Sequence, residues 1–115
     1  MKQLNYRKPY EGGRAAAWLN DLRNQSGVYI IRSMDTGETL YVGESHTGRL
    51  AKTIKRHFHP WKDNAERKHH TYSPHRVEVA VRLCPPASAP HAQNNLIGRL
   101  DPRDNGNGFP AEKPF

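Results

Sequence analysis

The amino-acid sequence predicts an α+β domain in which a small three-stranded antiparallel sheet is flanked by helices. Three observations carry that expectation. Two short apolar runs, 28–31 and 40–42, stand on either side of Asp35-Thr36-Gly37, a turn sequence, and so read as a hairpin. A third run, 77–83, alternates Val77, Val79, Val81 and Leu83 with Glu78, Ala80 and Arg82, the period-2 pattern of a half-buried strand. Around these strands the apolar residues recur instead at helical spacing. With 115 residues, against a working figure of roughly 150 per domain, 1–115 is read as a single domain.

The elements follow in order. Residues 14–24 read as a first helix, because Ala15, Trp18, Leu19 and Leu22 fall at i, i+3, i+4 and i+7 and Ser26-Gly27 stops the pattern. In the hairpin, a turn centred on Thr36 makes paired residue numbers sum to an even value, so Tyr29 and Tyr41 share a face. A second helix is expected from about 49 to 58. Leu50, Ala51, Ile54 and Phe58 form its apolar side, Arg49, Lys52, Lys55 and Arg56 its basic side, and His57 lies at the border. The stretch 59–75, closed by Pro60 and Pro74, has no periodicity and reads as a loop. Pro85-Pro86 ends the third strand. The last helix, about 91–100, places Gln93 among Leu96, Ile97 and Leu100 on the core-facing side, while Asn94 and Asn95 rotate away. A buried amide without a partner costs about 1–3 kcal/mol. Gln93 therefore has a dedicated partner or lines a polar cavity, unless its head reaches solvent from the stripe's edge. Asp101-Pro102-Arg103-Asp104-Asn105 terminates the helix.

Charge narrows the function. Eighteen Lys and Arg against eleven Asp and Glu leave +7, which points to a polyanion or an anionic surface. Residues 49–76 hold eight Lys or Arg and only two acids, Asp63 and Glu66, so six of the seven net charges sit there. His57, His59, His69, His70 and His75 fall in the same stretch with Trp61 and Tyr72, a mixture suited to phosphate contacts and base stacking; a solvated loop that is basic by chance is the alternative. Those histidines lack cysteine partners and ligand spacing, which argues against zinc. The lone cysteine, Cys84, excludes an intrachain disulfide and agrees with a reducing, cytoplasmic compartment. The N-terminal residues carry no signal-peptide run, and no window approaches the ~20 apolar residues of a membrane span, so a soluble protein is expected.

Taken together, Gly27-Val28-Tyr29, Tyr41-Val42-Gly43, the helix ending Arg56-His57-Phe58 and the stop Pro102-Arg103-Asp104-Asn105 resemble the GIY-YIG nuclease family over about 26–105. The resemblance implies a DNA endonuclease that hydrolyses phosphodiester bonds with one divalent metal, Mg²⁺ or Mn²⁺; an RNA substrate stays open. It implies that Tyr29 acts as base or water-positioning phenol, Tyr41 supports it, Gly43 lets backbone approach closely and Asn105 ties the helix end. An unperturbed phenol is protonated at neutral pH, so Tyr29 needs a nearby cation or base, and His57 fills that role unless its ring simply packs on Leu50. Members often carry the phosphate-contacting arginine four residues before the histidine; here that position is Thr53, leaving Arg49 first and Arg56 second. Lys52, Lys55, Arg56 and Arg76 are read as phosphate contacts.

At the position of the family's metal-binding glutamate, nine residues before Pro102, stands Gln93. A neutral amide offers no formal charge to a hard cation. The resemblance therefore implies an inactive or very weak enzyme, either an isosteric inactivation or a natural loss that leaves a nucleic-acid-binding module. Glu44 and Glu78 are the nearest conceivable substitute carboxylates.

Overall fold

In the computed structural model, which describes residues 4–58 and 72–105, the sheet order is β4-β3-β5, with β3 (Gly27–Ser33) central and antiparallel to both neighbours. Strand β3 pairs with β4 (Thr39–Ser45) through the hairpin and with β5 (Val77–Leu83) on its other side. Val28, Tyr29, Ile30 and Ile31 are all fully buried, because a central strand covered on both faces has no solvent side on which to place polar residues. The two faces carry two cores. Tyr29, Ile31, Tyr41, Val77 and Val79 pack with Leu50 and Ile54 of α2 (Leu50–Arg56), and with Leu19 and Phe58. Val28, Ile30, Val42 and Ala80 pack on the opposite face under Leu96 of α3 (Ala89–Leu100). Burial of Ala80 beneath α3 makes β5 less one-sided than its alternation suggests.

The expected hairpin register holds. Tyr29 faces Gly43 and Ile31 faces Tyr41, both pairs summing to 72, with an irregularity only beyond Ile31.

The first helix is a correction. Residues 14–24 do not form one helix: Arg14–Ala15 is β2, paired with β1 (Tyr10–Glu11), and only Ala17–Asn20 is helical as α1. The turn between β1 and β2 needs positive φ at both Gly12 and Gly13, which glycine accepts without steric cost. Ala15, Trp18, Leu19 and Leu22 still reach the core, so the apolar spacing marked a face and overstated the helix. The second helix is likewise shorter than 49–58. Its cap at His57 lets that ring turn inward, so His57 is fully buried and not a border residue.

Both sheet edges are covered. On the outer side of β5, Arg7 and Val79 exchange two backbone hydrogen bonds of 2.9 and 2.8 Å. On the outer side of β4, Arg103 N–H donates to Thr39 O and Asp104 N–H to Leu40 O. This lining removes unpaired edge groups that would otherwise invite another strand. It also delivers Asn105 to the middle of β4. Helix α3 ends where Asp101 adopts a left-handed conformation and Pro102 cannot continue it. Expectations for His59, Trp61, His69 and His70, and for the tail after Asn105, lie outside the described residues.

Candidate active site

The site begins with a missing side chain. Tyr29 lies directly opposite Gly43, and a Cβ at Gly43 would overlap Cζ and the hydroxyl oxygen of Tyr29. With glycine there, the ring lies across β4, and its hydroxyl meets His57 Nε2 at 2.8 Å in a buried hydrogen bond. His57 is surrounded by phenols: its ring centroid is 4.8 Å from Tyr41, 5.6 Å from Tyr29 and 5.9 Å from Tyr72. Tyr72 is held by its N–H to His57 O at 2.7 Å and by its hydroxyl to Asp104 at 2.6 Å. The structure thus joins Tyr29, Tyr41 and His57 and adds Tyr72, which the sequence grouped with base-stacking residues and which instead packs against His57 and bonds to Asp104.

Electrostatics keep the phenols neutral. Burial pushes Tyr29 well above the ordinary phenol value; neighbouring Tyr41, Tyr72 and Glu44 add to that, and Arg56 opposes it. Burial, then the Glu44 charge, raises Tyr41. Tyr72 is raised by burial and by its bond to Asp104. Taking a phenolate out of water is costly, so Tyr29 exchanges protons here only through a partner such as His57.

Gln93 and Asn105 arrive from the other side. Asn105 Oδ1 accepts from Val42 N–H at 2.8 Å and its Nδ2 donates to Val42 O at 2.9 Å. The buried Gln93 amide donates to the same carbonyl at 3.4 Å, so the amide expected on the core-facing stripe does have a partner. That carbonyl belongs to the Val42–Gly43 peptide. The ring of Tyr29 and the head of residue 93 therefore meet on one peptide of the Tyr41-Val42-Gly43 segment. One residue further along, Glu44 is buried and places both carboxylate oxygens 3.1 Å from His46 Nδ1. Glu78 is elsewhere, bonded to Arg32 Nε at 2.7 Å.

The cations divide among several places. Arg56 is half-buried, and its charge reaches Tyr29. Arg49 is exposed at the opposite end of α2, roughly 12 Å along the axis from His57, and lines a cleft with Lys52. Lys55 Nζ donates to Asn20 Oδ1 at 2.7 Å. Arg76 is exposed and faces Asp35 at 3.9 Å near the hairpin turn. Thr53, where the family pattern puts arginine, is buried. Arg56, the second choice from the sequence, is thus the arginine nearer the phenol's chemistry. Among the described residues, no group of three or more His, Cys, Asp or Glu side chains forms a metal-holding cluster. No helix among them is long and apolar enough to cross a membrane.

No protein-family model matches this chain, and no curated protein sequence is similar enough to match it.

Proposed function

We propose that this chain is a nuclease-type nucleic-acid-binding domain of the GIY-YIG kind, acting on DNA, in which hydrolysis is disabled at position 93. The observation that carries this reading is the convergence on the Val42–Gly43 peptide: the Tyr29–His57 hydrogen bond on one side and the buried residue-93 side chain on the other. In that arrangement His57 Nε2, when unprotonated, accepts the Tyr29 proton in a hydrogen bond and leaves the phenolic oxygen's lone pairs free to orient an attacking water. Arg56 would offset charge gathering on the phosphate. Tyr29 and His57 are closed from solvent, so hydrolysis requires their cover to give way when a strand docks.

The residues present do not fit a hard divalent cation. Gln93 is neutral, its amide is turned onto the Val42 carbonyl, and the nearest buried carboxylate, Glu44, is engaged by His46. Mg²⁺ and Mn²⁺ favour anionic oxygen donors, which this set does not offer. This donor set also favours a second reading, a nucleic-acid-binding module without catalysis.

The decisive experiment is Gln93→Glu. The variant is expected to cleave DNA in Mg²⁺ or Mn²⁺ buffer, with the unmodified chain inert under the same conditions and Tyr29→Phe abolishing the gain. Binding of DNA without any gain of cleavage would overturn the nuclease reading and leave the binding module. Matched RNA and DNA oligonucleotides assayed side by side identify the polymer.

A further inference from the structure

Among the clefts of the described surface, two differ in charge. One, of about 330 Å³ beside the hairpin turn, mixes Asp35 and Glu38 with Arg76 and Arg103 and so balances itself. The other, of about 260 Å³, is lined by Arg23, Asn24, Gly48, Arg49, Ala51 and Lys52, three cations and no acid. Among the described residues the ion pairs are Arg32 with Glu78, His46 with Glu44, Arg76 with Asp35 and Arg103 with Asp104, so none of the three cleft cations has an acidic partner.

The walls of this cleft are stitched together. Gly48 N–H donates to Ser26 Oγ at 3.0 Å, Arg49 N–H to Ser45 Oγ at 3.1 Å and Leu50 N–H to Gln25 O at 3.1 Å. The N–H groups of Gly48, Arg49 and Leu50 are occupied by these bonds, and the positive charge of the cleft lies in its side chains. Those bonds also fix Arg23, which belongs to the segment after α1, against Arg49 and Lys52. Like charges gathered without a counter-charge repel, and an anion seated among them removes that cost.

The cleft sits at the start of α2, the helix whose C-terminal cap is His57. Arg49, Lys52 and Arg56 fall at i, i+3 and i+7, one stripe of α2. Arg56 precedes His57, the partner of the Tyr29 hydroxyl, and lies roughly 10 Å along the axis from Arg49.

We propose that the Arg23, Arg49 and Lys52 cleft binds a backbone phosphate of DNA that flanks the candidate active site. Arg49 is then a binding residue at a flanking phosphate and not the group that meets the reacting one. This rests on the nucleic-acid reading above but not on hydrolysis.

The test measures binding of a fluorescein-labelled DNA duplex by anisotropy, over a range of KCl concentrations and without divalent metal, so that cleavage plays no part. Arg23→Gln and Lys52→Gln are each expected to weaken binding about five- to tenfold near 0.1 M salt. Each should also lower the slope of log affinity against log salt by about 0.9. Arg14→Gln, an exposed cation outside the cleft, is the control with the same change in net charge. The inference is overturned if Arg14→Gln matches the cleft variants, if the cleft variants bind as the parent does, or if the losses appear with RNA of the same sequence and not with DNA. Circular dichroism confirms that each variant is folded. If Gln93→Glu fails to cleave while these losses are seen, the nuclease reading fails alone; cleavage by Gln93→Glu with unaltered binding of the Arg23 and Lys52 variants refutes the cleft alone.

Discussion

At the residue scale the tightest constraint is the contact between Tyr29 and Gly43. The ring occupies the space a side chain at 43 would need, and it is fully buried and held by His57, which prevents easy relief. Gly43→Ala is therefore expected to destabilise the fold by about 1–3 kcal/mol, the usual range for overpacking a core. Because the clash is with one ring, the two positions should couple. In a Tyr29→Ala background, Gly43→Ala should cost less than half of what it costs alone, read from urea midpoints of the four proteins in the cycle. Additive costs would show that Gly43 serves β4 itself and not the phenol. Removing only the hydroxyl is a gentler change: Tyr29→Phe leaves a buried His57 nitrogen without this partner and should cost about 1–3 kcal/mol.

At the element scale, the segment after α3 acts as a second, irregular partner of β4, on the side away from β3. Asn105 is its anchor, satisfying both backbone groups of Val42 with one side chain. Asn105→Ala would orphan the buried Val42 N–H and is expected to cost about 2 kcal/mol. Amide hydrogen exchange at Val42 should accelerate by an order of magnitude or more relative to Ile30 in the centre of the sheet, and an unchanged ratio would mean that the anchor lies elsewhere. Gln93 adds a second, longer bond to the same carbonyl, so Gln93→Ala should cost less than Asn105→Ala. Helix α2 works differently: its sequence places Leu50 and Ile54 in the core, while its C-terminal cap turns His57 into the ring cluster.

At the scale of the whole molecule, three of the five tyrosines, Tyr29, Tyr41 and Tyr72, lie in one buried cluster with folded pKa values raised chiefly by burial. The unfolded chain ionises its phenols near pH 10, before the folded one does. Below pH 10 both states keep these protons and the contribution to stability is complete. Above it the unfolded state binds fewer protons, so stability falls as pH rises. Urea midpoints are expected to drop between pH 10 and 11, and Tyr29→Phe should flatten that slope. Absorbance at 295 nm should show Tyr29, Tyr41 and Tyr72 silent until the protein unfolds. Early titration of all five would contradict a closed cluster.

Much of this molecule was legible in the order of its residues. The hairpin, its even register and the shared face of Tyr29 and Tyr41 followed from local turn chemistry and a two-residue repeat. The polar anomaly at Gln93 was visible from helical spacing and was matched by a buried bond to Val42. Local patterns failed where distant chain supplied the environment. Residues 14–24 carried a helical apolar stripe, yet a glycine turn and pairing with Tyr10–Glu11 drew their start into a hairpin. His57 looked peripheral because its burial depends on where α2 stops and on the return of Tyr72 beside it. Arg49 ranked ahead of Arg56 on one basic helix face; only the packing of α2 put Arg49 beside Arg23, while Arg56 stands next to the buried His57. The sequence by itself determined periodicities, faces and charge, which are set by neighbours along the chain. Tertiary structure alone decided which groups meet, because burial and electrostatic fields are summed over atoms that are close in space but far apart in sequence.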